Sequence, residues 1–233
     1  MKAIVYHRYG SPDVLECEDV EKPTARDDGV LIKVRAASVN PLDEGLIKGG
    51  GRIVNGLRKP KITRLGVDVA GQVEAVGRKV TQFKAGDEVF GACIRDAQDS
   101  ALRVWIPQGA FAEYACAPES ALVMKPDNVT FEQAASAPVA AFTALQGLRD
   151  KGQIQPGQKV LINGAAGGVG TFAVQIARWF GAEVTLGAIC LAVTSSISVR
   201  QRFTACRLTS GVWRHTARRC RCWKPSLTGS LFP

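Results

Sequence analysis

The sequence predicts a chain of mixed α+β and α/β character: a β-rich domain, then the opening of a parallel βαβ sheet. Three observations carry that reading. Over the first 125 residues, short runs of β-branched and small residues recur between glycine turns at a spacing of roughly ten. From Asn128 the texture becomes alanine-rich with helical spacing. At 160–185, "VLINGAAGGVGTFAVQIARWFGAEVT", an apolar run passes through a glycine turn into an amphipathic stretch and then a second apolar run. The organisation is therefore a β domain over 1–125, a helical connector with a first βαβ unit over 126–185, and a tail over 186–233.

In the first domain, "KAIVYH", "GVLIKVRAASV", "VDVAGQVEAVG", "AGDEVFGAC" and "GAFAEYACAP" each read as a strand bounded by turn residues. That number of short strands predicts a barrel or sandwich. In the connector, Thr130 and Gln133 have the spacing of a capping box. Pro138 interrupts the helix that follows, and "IQPGQK" is a turn.

Val160, Leu161 and Ile162 form a short β-branched run that suits a strand buried on both faces. Beyond the glycines, Phe172, Ile176 and Phe180 fall at i, i+4 and i+8, with Ala173 and Ala177 beside them, which predicts one face of a helix. Gly181 is its stop. Glu183-Val184-Thr185 begins a second strand, and the apolar stretch 184–199 is expected to be a buried strand. It is too short to span a membrane, which needs about 20 residues.

The glycine turn is the candidate binding element. Peptide N–H groups at a helix start point outward and carry partial positive charge. Glycines let a pyrophosphate approach the backbone and let helix and strand pack closely. The spacing is G-x-x-G-x-x-G, at Gly164, Gly167 and Gly170, and differs from the usual G-x-G-x-x-G; the flanking strand and helix are what favour a dinucleotide. The candidate cofactor-binding residues are Asn163, Gly164, Ala165, Ala166, Gly167, Gly168, Val169 and Gly170.

At 46% hydrophobic and 22% charged, the chain can build a core. The start has no signal-peptide pattern, so a cytoplasmic location is expected, with no membrane partner. The net charge of +9 is unevenly placed. All 21 acids lie in 1–183 beside 22 of the 30 basic residues, about +1, while the last 48 residues hold eight basic groups and no acid. The excess charge therefore says little about the front of the chain, and a nucleic-acid partner is not expected.

Seven segments in order resemble one family: "AASVNPLDEGLIKGG", "LGVDVAGQVEAVG", "FKAGDEVFG", "GAFAEYA", "AAFTALQGL", "PGQKVLINGAAGGVGTFAVQIA" and "GAEVT". The chain resembles the zinc-independent quinone oxidoreductases of the medium-chain dehydrogenase/reductase superfamily over about 185 residues. The resemblance implies a GroES-like β-barrel domain followed by a Rossmann domain, here incomplete. It implies NADPH as hydride donor to a small-molecule quinone or a related enone or carbonyl. It also allows a homodimer in full-length relatives.

The same resemblance names the candidate catalytic residues. Asn40 and Asp43, in "VNPLD", belong at the mouth of the active cleft, and Thr143, in "FTAL", approaches the nicotinamide. Each has a plainer structural alternative: Asn40-Pro41 as a turn after a strand, and Thr143 as a helix hydroxyl bonding back to the main chain. No metal is expected. Asn40 stands where zinc-using relatives carry a cysteine, and Gly66-Val67-Asp68 stands in place of Gly-His-Glu, which leaves too few ligands. Asp68 is expected to serve in hydrogen bonding. Without zinc, the reaction rests on holding an already electrophilic carbon against the nicotinamide and on a polar donor for the developing oxyanion. No acid lies near position 190, and that favours NADPH over NADH.

Residues 186–233 do not resemble the family, and neither strand nor helix patterning is visible in them. They read as an out-of-register tail on a truncated family member, expected to be poorly ordered. A non-catalytic fragment, or a basic tail that contacts nucleic acid or protein, is the alternative to an impaired NADPH-dependent reductase.

Overall fold

The protein is described by a computed structural model that covers residues 1–96, 105–107, 109–187 and 205–207. It divides into two compact units, one built on Met1–Ala135 together with the strand at 205–207, the other running from Ser136.

The first unit contains β1 (Lys2–Tyr6), β2 (Leu15–Asp19), β3 (Gly29–Ser38), α1 (Pro41–Ile47), α2 (Arg52–Asn55), β4 (Asp68–Val76), β5 (Glu88–Ala92), β6 (Ile94–Asp96), β7 (Trp105–Pro107), β8 (Tyr114–Pro118), β9 (Leu122–Met124) and most of α3 (Phe131–Ser136). β3, β4, β5 and β9 pair in order, and β8 joins the other edge of β3. β1 and β2 form a hairpin, as do β6 and β7. β3 is long because its alternating residues find cover on both sides. Val30, Ile32 and Val34 pack with Val69, Val73, Val89 and Leu122 in the main core, and Ala36 joins Ala70, Ala134 and Ala135 in a second cluster. The five strands expected from sequence all form. β2, β6, β7, β9 and the two short helices were not anticipated. The capping box at the start of α3 is complete: Gln133 N donates to Thr130 Oγ1 at 3.2 Å, and Thr130 N donates to Gln133 Oε1 at 2.9 Å.

The second unit begins with α4 (Pro138–Leu145), whose first residue is the proline expected to break the helix, and continues through a wider turn at Gln146–Lys151. β10 (Lys159–Asn163), α5 (Gly168–Trp179) and β11 (Glu183–Gly187) then form a βαβ opening, with β10 and β11 parallel over five residue pairs from Lys159↔Glu183 to Asn163↔Gly187. α5 stops where Gly181 takes φ +78° and its N–H reaches Arg178 O at 2.9 Å. Ala173 and Ala177 are the innermost residues of α5, with Phe172, Ile176 and Phe180 half-buried around them.

Three expectations need correction here. β10 is not buried on both faces: Ile162 is 7% exposed, but Leu161 is 68% exposed. The cause is layering, because α5 covers the face of Val160, Ile162 and Val184 while the face of Leu161 lies open. The tail was expected to lack strand, yet β12 (Ala205–Arg207) pairs antiparallel with β3 through Cys206↔Ala37. Pairing of this kind uses main-chain groups, which side-chain patterning does not report. The buried strand expected over 184–199 is a strand in its described part, β11, but not a buried one: Thr185 is exposed and Leu186 is 54% exposed, because α5 covers only the face of Val184; the remainder, and the expectation of disorder over most of 186–233, lie outside the described residues.

Candidate functional site

The β3–β4 pairing sets Ser38 opposite Asp68, which draws four polar residues into the core of the first unit. β3 ends at Ser38, and Asn40, with extended φ −116° and ψ 157°, starts α1. Pro41 follows at the helix position whose N–H is not needed. Ser38 Oγ donates to Asp68 Oδ2 at 2.7 Å, and Asn40 Nδ2 donates to the same oxygen at 3.0 Å. Asp43 accepts on both oxygens from the main chain: Asn40 N at 2.9 Å on Oδ2 and Gly66 N at 3.0 Å on Oδ1. Its carboxylate therefore ties the start of α1 to the segment entering β4.

Asn40 is 4% exposed and Asp43 2%; Ser38 and Asp68 are fully buried. Burial pushes the Asp43 acid up to about 6, and the neighbouring Asp68 charge adds to the rise, while the N–H groups of Asn40 and Gly66 pull against it. The structure thus gathers Asn40 and Asp43 with two partners, Ser38 and Asp68. Asp68 takes the hydrogen-bonding role expected of it. Ser38 was missed; its only signal in sequence is its place at the end of a strand, two residues before Asn40 of the Asn-Pro turn.

The glycine loop lies in the second unit. Gly164 takes φ +70°, the left-handed region that glycine occupies without strain, and its N–H is held by Gly187 O at 3.0 Å. Gly167 precedes the first turn of α5. A Cβ on Gly170 would stand 2.2 Å from Gly164 O and 2.8 Å from Ala165 Cα, so the helix can pass this close to the turn only without a side chain. At Gly164 a Cβ would meet nothing within 4 Å, and at Gly167 only Gly164 O at 3.3 Å. The loop is closed on its strand side and open outward. Gly168, Val169 and Gly170 form the first turn of α5, whose N–H groups have no acceptor within the helix. The residues present fit a dinucleotide pyrophosphate: a glycine cradle without steric cover, facing oriented N–H donors.

Thr143 lies exposed on α4 in the same unit, and its Oγ1 donates to Val139 O at 2.7 Å. That is the back-bond of its plainer reading, and it leaves the hydroxyl oxygen able to accept. The region near 190 that bears on NADPH against NADH lies outside the described residues. Among the described residues no group of three or more His, Cys, Asp or Glu is placed to hold a metal ion, and no helix is long and apolar enough to cross a membrane.

A β domain of this pairing followed by a glycine-turn βαβ unit defines a two-domain dehydrogenase or reductase architecture. The alcohol dehydrogenase GroES-like domain matches residues 26–127. The chain is 40% identical over 197 residues to the 2-methylene-furan-3-one reductase of Solanum lycopersicum, covering 84% of this chain and 47% of that one. It is 39% identical over 186 residues to the quinone oxidoreductase of Sus scrofa, covering 79% and 51%. The Escherichia coli quinone oxidoreductase solved with NADPH superposes with a TM-score of 0.66 at 28% identity, over 80% of this chain and 52% of that one. The chain belongs to the medium-chain dehydrogenase/reductase superfamily; the relatives it matches carry the names of quinone oxidoreductases and of a furanone reductase, and it spans about half their length.

Proposed function

We propose that this chain carries the barrel side and the pyrophosphate cradle of an NADPH-dependent reductase of quinones or conjugated enones, working without zinc. The observation that carries the reading is the 163–170 loop, where Gly170 lets α5 close on the turn while Gly164 and Gly167 leave the outer side open. The names of two relatives, a furanone reductase and a quinone oxidoreductase, support the substrate class, and a structural relative solved with NADPH supports the donor.

NADPH, when bound, supplies a hydride to a quinone or enone carbon that is already electrophilic. The first-turn N–H groups of α5 bind the pyrophosphate oxygens, and Asn163, Ala165 and Ala166 shape the turn that presents them. The Thr143 oxygen serves as an acceptor toward the nicotinamide. Asn40 orients the reacting partner, and Asp68 and Ser38 fix its amide. Asp43 holds the α1 start and Gly66 in register. No residue here must act as an obligatory general acid, since water can supply the proton.

The sheet of the second unit, as described, has two strands and one covered face, so turnover is expected below the roughly 1 per second that typical enzymes exceed. The test uses NADPH deuterated at C4 with 1,4-benzoquinone and a small enone. Saturable NADPH binding with slow deuteride transfer to the enone product supports the reading. A protein that binds NADPH and transfers no deuteride, or one that does not bind NADPH, contradicts it. About one zinc per chain surviving mild chelation would remove the zinc-independent part.

A further inference from the structure

The segment between α1 and β4, a loop interrupted by the single turn of α2, has unusual surface chemistry. Residues 48–64 hold six basic residues and no acid. The loop is firmly built. Asn55, 3% exposed, donates from Nδ2 to Tyr6 Oη at 2.9 Å and accepts on Oδ1 from Ile62 N at 2.7 Å and Lys61 N at 3.2 Å. Tyr9 Oη donates to Gly56 O at 2.7 Å, and the Arg52 guanidinium stacks 4.6 Å from the centre of the Tyr9 ring.

What this anchored loop turns outward is a pair of aliphatic side chains among cations. Ile53 is 86% exposed and Leu57 73%. Arg58, Lys59 and Lys61 are exposed beside them and make no ion pair among the described residues. Scattered exposed aliphatics are ordinary on a surface. Two of them, four residues apart on a pinned loop with three uncompensated cations, are not scattered.

We propose that this loop docks on anionic phospholipid surfaces, with Ile53 and Leu57 entering the headgroup–acyl boundary and Arg58, Lys59 and Lys61 engaging the phosphates. Charge complementarity selects the partner. Basic residues near an anionic leaflet are attracted within a Debye length, and aliphatic side chains gain only where there is hydrocarbon to enter. A nucleic acid rewards the cations but not Ile53 and Leu57. A symmetric contact between two copies would set like charges against each other. Such peripheral binding needs no spanning helix.

The experiment is flotation of the full chain with phosphatidylcholine vesicles, with and without 25% phosphatidylserine, at low and high salt. Binding is expected to require phosphatidylserine and to fall as salt rises. The double variant I53S/L57S, which keeps every charge, should weaken vesicle binding by about tenfold or more, and R58S/K59S/K61S should abolish the preference for phosphatidylserine. Both sets lie on the surface, and unchanged thermal melting checks the fold. Binding that both variants retain would assign the interaction to the basic tail and overturn the proposal. So would no vesicle binding, or binding to duplex DNA that is stronger than to vesicles and unaffected by I53S/L57S.

Discussion

Asp43 is the residue whose chemistry departs most from its ordinary state. Folded, its acid holds a proton up to about pH 6, against an ordinary value of 3.8. The native state therefore binds this proton more tightly than the unfolded chain does. The stability it contributes is full below the unfolded value and is lost as pH rises through the folded one. Between pH 5 and pH 7.5 that loss is about 1–2 kcal/mol. Urea unfolding at the two pH values should show this loss in the native protein and a flatter profile in Asp43→Asn; equal slopes would contradict the assignment. At this scale the sequence was partly legible. The glycine turn could be read because residue type and spacing carry it, and the hydrogen-bonding role of Asp68 because the family resemblance implied it. Of the double clamp of Asp43, the bond from Asn40 N is the i, i+3 spacing of a helix cap, whereas the bond from Gly66 N could not be read, because it joins residues 23 apart in sequence.

Among elements, the β10–α5–β11 unit shows how layering decides burial. Ile162 faces α5 and Leu161 does not, so Ile162→Ala should cost the second unit about 2–4 kcal/mol and Leu161→Thr less than about 0.5 kcal/mol, measured by denaturant unfolding. Comparable losses would mean that the open face is covered in solution. Gly170→Ala should cost about 1–3 kcal/mol, because its Cβ would meet main-chain atoms of Gly164 and Ala165. The strands of the first unit were legible where apolar residues alternate. β2, "LECED", was not, since Glu16, Cys17 and Asp19 are exposed and it is held to β1 by the ladder. α1 was hidden for a different reason: its Asn-Pro start also fits a simple turn, and the helix that follows is only seven residues long.

For the whole molecule, the two units bring different contributions. The first presents a buried polar cluster around Asn40 and a basic, partly apolar segment; the second presents an outward-open glycine loop on a sheet that has two strands among the described residues. The order of these parts was legible because glycine turns and a change of period mark each one. The open face of β10 was not, because burial on a sheet depends on layers that lie elsewhere in the chain. The central claim is that the 163–170 loop holds a dinucleotide pyrophosphate, and the most direct measurement is calorimetric titration of NADPH into the protein and into Gly167→Val. The φ of −79° at Gly167 admits a side chain, so the variant should keep its fold and melting temperature. The account predicts saturable binding near one NADPH per chain, weakened about tenfold or more in the variant, since a branched side chain would occupy the phosphate position. No binding by the native chain, or equal binding by a folded Gly167→Val, would contradict it.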